Sequence, residues 1–485
     1  MSWQNFRAHG RLLGGRRLRP TRLLAAAGLT ALAGGTLPGP VAHAATISVP
    51  CSVPALVNAI NAANSSPGPD TLNLDPKCTY KLTAPDAANP ANGLPTITSD
   101  ITINGGSSHK AGGSGHGATI TRAKSAPAFR ILLVATTGSL TLNKVTISGG
   151  KATDCPNFPG GACGGGISSL GPLTVNHSRV IDNTAESDAF AEGGGIETGT
   201  GAGTGTATLN DTEVSGNTAV YNGTAQSSAA GGGLSSNGPL LVKGSRFTHN
   251  VVRVTQNTQS FAFGAGLVTF ARATIEKTTI AHNQASAPGG FARAALANGA
   301  IPPDTMTVTG SVIRNNTASA PGGFAQGGGV ANNALLTVTD TRVTDNIATA
   351  PNGGTAVGGG IQVASDGNFT LRNSTVRGNI AEASGGGSAQ GGGINNGTGG
   401  TALIEGTKIS ENTVRVSNGG TARGGGLFNA VGSTTLNNST VTRNKAGDGG
   451  GIFEASGTVT LNGTTVTLNK PNNCAPPGAV PGCTG

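Results

Sequence analysis

The chain has 485 residues, 81 of them glycine, with 11% charged and 3% aromatic side chains and a formal charge of +9. No Gly-X-Y period runs through it and its apolar positions recur regularly, which excludes a collagen-like chain and argues against disorder. The basicity is local: residues 1–44 hold six arginines and no acid, and without them 25 basic face 22 acidic side chains, so no basic face for nucleic acid is expected.

Residues 1–44 read as a signal peptide. Arg7, Arg11, Arg16, Arg17, Arg19 and Arg22 precede an apolar run from Leu23 to Ala33, and Ala42-His43-Ala44 forms a small-residue cleavage site. The run is too short to span a bilayer. Arg16-Arg17 leaves both the general and the twin-arginine export routes open.

Residues 45–137 read as a cap and first coils. Ser52 is placed to cap a short helix through Val53, Leu56, Val57, Ile60 and Ala63, with Pro54 in its first turn. Strand-like pieces follow at 71–74, 80–82, 101–103, 118–120 and 129–134, and a helix over the first coil would cover an open sheet edge.

Residues 138–470 repeat one phrase ten times: a hydroxyl residue, an apolar residue two later, and an asparagine three beyond. The asparagines are Asn183, Asn217, Asn250, Asn283, Asn316, Asn346, Asn379, Asn412, Asn444 and Asn469, spaced by 34, 33, 33, 33, 30, 33, 33, 32 and 25 residues. Gly150, 33 residues before Asn183, starts an eleventh unit in the same phase. A glycine triplet with an aliphatic residue opens most units, as in Gly164 to Ile167. Period-two runs such as Leu173-Thr174-Val175 follow, so about three short strands per unit are expected. One unit cannot bury its apolar residues alone. The predicted fold is therefore all-β, a right-handed parallel β-helix of about eleven coils with a short N-terminal cap helix, the asparagines forming an internal amide ladder and taking the left-handed turn conformation themselves.

Residues 471–485 read as a disulfide-pinned tail. The six cysteines form three local couples, Cys51 with Cys78, Cys155 with Cys163, and Cys474 with Cys483; disulfides suit an exported protein, and the CxxC spacing and partner histidines of a zinc site are missing.

The run from Cys51 to Asn64, then Pro69 to Leu72, Tyr80 to Thr83, Leu94 to Ile97 and Ile101 to Gly105, resembles the opening of CSLREA-type secreted bacterial proteins, although Cys-Ser-Val-Pro-Ala-Leu stands where those have Cys-Ser-Leu-Arg-Glu-Ala. The Gly-Gly-Gly-Ile and apolar-x-x-Asn phrases are similar to repeats of the polymorphic outer-membrane proteins, β-helical surface adhesins. The resemblance implies a secreted surface module. Those adhesins end in a membrane barrel, whereas this chain ends in the Cys474 tail, so release to the medium or loose wall association is expected.

Between asparagine and glycine triplet lies an excursion of about eight residues, absent after Asn444, expected to stack as a loop face. Its first column runs Phe190, Ser228, Phe261, Phe291, Phe324, Thr355, Ser388 and Thr421; Phe261, Phe291 and Phe324 are either an apolar contact strip or packing for the loop base. The pectin-degrading kind of β-helix needs clustered carboxylates. Glu197 and Glu454 are several coils apart, His249 and His282 lack a third ligand, and Asp448 stands alone. No catalytic, cofactor or metal residue is assigned. A secreted, non-catalytic binding module with a polysaccharide or cell-surface partner is expected, a polysaccharide lyase or hydrolase being the alternative.

Overall fold

The computed structural model describes residues 44–484 apart from 107–116, 157, 200–203, 257–258, 294, 301, 365–366 and 398. The proposed signal peptide thus lies almost wholly outside the described residues. The chain winds as a parallel β-solenoid whose strands stack into five sheets of 14, 13, 9, 9 and 12 strands in coil order. One coil shows the course: Leu173–Asn176 in the first sheet, Arg179–Ile181 in the second, Thr184–Ser187 in the third, Ala191–Glu192 in the fourth and Ile196–Thr198 in the fifth. Each pairs in parallel with its equivalent in the next coil, Val175 with Leu209 and Val180 with Val214. Eleven successive strands of the first sheet, from Ser139–Asn143 to Thr458–Asn462, make eleven repeat coils, and three further strands belong to the N-terminal region.

Five strands per coil, not three, is the first correction. The excursions are strands of the third and fourth sheets rather than loops, and those sheets stop at Thr413–Ser417 and Ala422–Arg423, two coils before the rod ends. The coil therefore has two compartments. Large apolar residues such as Leu173, Val175, Val180 and Ile196 fill a main core bounded by the first, second and fifth sheets. The third and fourth sheets form a thin flap whose interior is two facing columns of mostly alanine, for example Ala285, Ala318 and Ala348 against Ala292, Ala325 and Ala356. Small side chains let the two sheets approach closely over the middle coils, while Tyr221, Val252, Val254 and Val414 are the larger members of the seam. Ala325→Leu should overpack this seam and cost about 1–3 kcal/mol in chemical denaturation.

The asparagine column is internal, with nine of the ten no more than 1% exposed and Asn469 at 7%. Asn346 shows the pattern. Its Oδ1 accepts from the backbone N–H (3.1 Å) and Nδ2 (2.9 Å) of Asn316, while its own Nδ2 donates to Asn379 Oδ1 (2.9 Å) and Ile313 O (3.0 Å). Gly150 N–H opens the column by donating to Asn183 Oδ1 at 2.9 Å. The column does not end at Asn469: Asn473 Oδ1 accepts from both its backbone N–H and its Nδ2, at 3.2 and 3.1 Å.

A second correction concerns the turn. The left-handed residue is the one before each asparagine, with φ of +56° at Asp182, +58° at His249 and +58° at Glu411, not the asparagine. Its side chain points away from the ladder, so its identity is mixed. The hydroxyl residue of the phrase also forms a ladder: Ser245 Oγ accepts from Thr212 N–H at 3.1 Å and donates to Lys243 O at 3.0 Å. The glycines fit beneath the amides, since a Cβ on Gly329 would meet the Asn346 amide at 3.0 Å.

At the N-terminal end the helix α1, Val53–Ser65, has Ser52 as its N-cap, with Ser52 Oγ accepting from Ala55 N–H at 3.3 Å. Leu56, Ala59, Ile60 and Ala63 are its buried face. Asn64 ties it down by donating to Thr96 O (2.7 Å) and accepting from Thr98 N–H (2.9 Å). The disulfides are Cys51–Cys78, Cys155–Cys163 and Cys474–Cys483, with Cα separations of 5.5, 4.7 and 6.3 Å. The middle one closes the loop at the flap's first coil. There the fully buried Arg130 guanidinium donates to Cys163 O, Asn92 Oδ1 and the Asp154 carboxylate, the last at 2.7 Å.

Candidate binding face on the flap

The fourth sheet turns one residue of each strand inward to the alanine seam and the residues on either side of it outward. Its register brings Ser228, Phe261, Phe291, Phe324, Thr355 and Ser388 into one outward row. The three phenylalanines stack face to face, with centroids 4.8 Å apart at 11° for Phe261 and Phe291, and 5.2 Å at 10° for Phe291 and Phe324. Phe261 and Phe291 are half-buried and Phe324 is 45% exposed. Alanines fill the base of the flap, so the rings form a ridge along the rod with their edges outward. Phe261 also leans on a small cluster of Ala230, Phe263, Val268 and Ala297, where Phe263 meets Phe270 edge-on at 6.0 Å; this cluster seals the corner between the fourth and fifth sheets.

The same corner, nearer the N-terminus, holds two carboxylates that comparison down the columns overlooked, because they meet across the corner within one coil. Glu197 is 1% exposed and accepts from Ser168 Oγ at 2.8 Å. Glu192 accepts from Ser235 Oγ at 3.2 Å. Burial pushes the Glu197 carboxyl up to about 8, the Ser168 hydrogen bond opposing this and the Glu192 charge adding to it. A sealed acid cannot reach a substrate, so Glu197 works as a neutral hydrogen-bonding side chain of the corner. Glu454 is not brought to it; it accepts from Asn429 Nδ2 at 2.7 Å in the last coils.

His249 and His282 are exposed, with rings stacked at 5.1 Å and 9°. Partial burial, the other imidazole and Arg314 hold His282 below its usual range. Asp448 is occupied in capping, accepting from Gly449 N–H and Asn472 Nδ2 at 2.9 and 3.0 Å. Among the described residues no group of three or more His, Cys, Asp or Glu side chains is placed to hold a metal ion. No helix among them is long and apolar enough to cross a membrane.

The fold defines a parallel β-solenoid with an alanine-packed flap and a partly exposed aromatic ridge. No protein-family model matches the chain, and no curated protein does. Among solved structures it is similar to the A-module of the Azotobacter vinelandii mannuronan C-5 epimerase AlgE6, at 14% identity over 88% of this chain and 95% of that one, with a TM-score of 0.30. So low a score carries no functional argument. The solenoid assignment rests on the strand pairing itself, and the CSLREA resemblance on the layout of its motifs.

Proposed function

We propose that the protein is a secreted, non-catalytic solenoid that binds a polysaccharide or cell-surface component through the outward face of its flap. The observation that carries this reading is the ridge of Phe261, Phe291 and Phe324, kept half-exposed on a rigid sheet rather than folded into the alanine seam beneath it. Stacked rings cover each other's faces, so the ridge offers apolar edges, suited to the hydrophobic patches of a surface polymer or protein. Three disulfides and the arginine-rich leader support export. The carboxylates favour the lyase or hydrolase alternative less, because Glu197 is sealed and Glu454 lies at the far end of the rod.

The test is co-sedimentation of the oxidised protein with insoluble plant and microbial wall polysaccharides and with intact cells, run beside an assay of released reducing ends with and without calcium. Retention that falls at least tenfold in Phe291→Ser, with no reducing ends released, is the expected result. Release of reducing ends abolished by a single acidic substitution would overturn the reading in favour of catalysis.

A further inference from the structure

We infer that the outer face of the first sheet, on a different side of the rod from the flap, binds ice. One outward position recurs in all fourteen strands of that sheet, from Thr46 to Thr460, and it is threonine in twelve of them; Leu241 and Leu403 are the other two. None of the fourteen is charged. Strand propensity alone does not explain an uncharged rank, because the equivalent outward row of the second sheet is threonine in seven of thirteen strands and charged in five, at Arg179, Glu213, Arg246, Arg342 and Lys408.

The twelve hydroxyls are also set apart by their bonding. The hydroxyl residues inside the turns, such as Ser245, are tied to backbone groups of their own and neighbouring coils. In the outer rank no threonine hydroxyl bonds to the protein, so every one is left to what lies outside. A β-branched side chain is restricted at χ1, and each threonine brings one methyl and one hydroxyl, so the rank offers both at the strand spacing of about 4.8 Å, over roughly 60 Å of rod.

The chemistry of such a surface selects its ligand. Each hydroxyl contact with a dissolved molecule replaces one with water and gains little. A flexible polymer would also lose the entropy of lying straight along the rank. A solid that is already ordered loses neither, and it gains from every repeat at once. The rank itself has no charge for an ionic solid, and the charges in the row beside it on the same face are paired with each other, Lys243 with Glu276 and Arg372 with Glu405. It has no aromatic side chain to stack on a sugar ring, and both tyrosines, Tyr80 and Tyr221, are buried elsewhere. A lattice of water molecules needs only uncharged groups that donate and accept at a regular few-ångström interval, with methyls between them. Thr274, Thr307, Thr337 and Thr370 present these on four consecutive strands.

The experiment holds single ice crystals in supercooled solutions of the folded, oxidised protein and measures the gap between melting and growth temperatures, together with recrystallisation of polycrystalline ice. Faceted crystals, a measurable gap and suppressed recrystallisation are expected. Thr307→Lys with Thr337→Lys should reduce these effects at least tenfold without moving the unfolding midpoint, and Phe291→Ser should leave them intact. Thr370→Lys serves as a second variant should the double one fail to fold. Absence of any effect in the unaltered protein, equal effects in the lysine variants, or threonine-dependent sedimentation with microcrystalline cellulose in place of ice activity would each overturn the inference.

Discussion

Replacing Asn346 by leucine should lower the stability of the rod by about 3 kcal/mol, at the upper end of what one lost polar group costs. The substitution removes the acceptor for the backbone N–H and Nδ2 of Asn316 and the donor to Ile313 O, all in a site with no water access. It also places a branched apolar side chain against Gly329, which lies close under the amide. Asn462→Leu is the matched control, because Asn462 belongs to an outer amide row and donates to Asn437 Oδ1 from an exposed position. That change should stay within about 0.5 kcal/mol. Equal midpoints for the two variants in chemical denaturation would place no stabilising weight on the inner ladder.

The second large effect is on pH dependence and comes from Glu197. Its carboxyl titrates at about 8 in the folded protein against about 4.5 for an ordinary glutamate. Between those values the folded state holds a proton that the unfolded state has released, so stability falls as pH rises. The contribution is fully present below about pH 4.5 and is lost as pH climbs through about 8, after which it is flat. The interval corresponds to a loss of up to about 5 kcal/mol from this one group. Glu197→Gln preserves the shape of the neutral acid and an acceptor for Ser168 Oγ, so it should match the unaltered protein near pH 4 and exceed it near pH 9. Denaturation curves at the two pH values measure this directly, and a Gln variant as pH-sensitive as the original would show that other groups set the slope.

The period, the inner ladder, the disulfide couples and the cap helix were legible because each depends on a residue type that physical chemistry restricts. Only asparagine fills the ladder position from Asn183 onward, and only serine or threonine accompanies it. The flap was not legible as strands. Its segments are two to five residues long, and an alanine facing an alanine gives no apolar contrast for a period-two pattern to reveal. The left-handed position was misassigned for a related reason: Asp182, His249, Arg443 and Leu468 share a conformation and nothing else. Asn473 was overlooked because it follows Asn469 by four residues rather than a full period, the chain doubling back to reach the same column. At the candidate site, the phenylalanine register was readable from the text, whereas the meeting of Glu192 and Glu197 required knowing where the corner lies.

The inner amide column has a direction. Along the column every asparagine passes its backbone N–H and an Nδ2 hydrogen to the amide oxygen on its C-terminal side and offers its own Oδ1 to the N-terminal side, from Gly150 N–H to Asn473 Oδ1, and Asn473 is anchored beside the Cys474–Cys483 disulfide. Any interior coil therefore presents the same interface above and below, and one can be inserted or removed without altering either terminus. The identical stretches 286–291 and 319–324 have the form such a copying event would leave. Rod length in this architecture is thus an evolvable quantity, changed one whole coil at a time, while the two ends remain fixed parts.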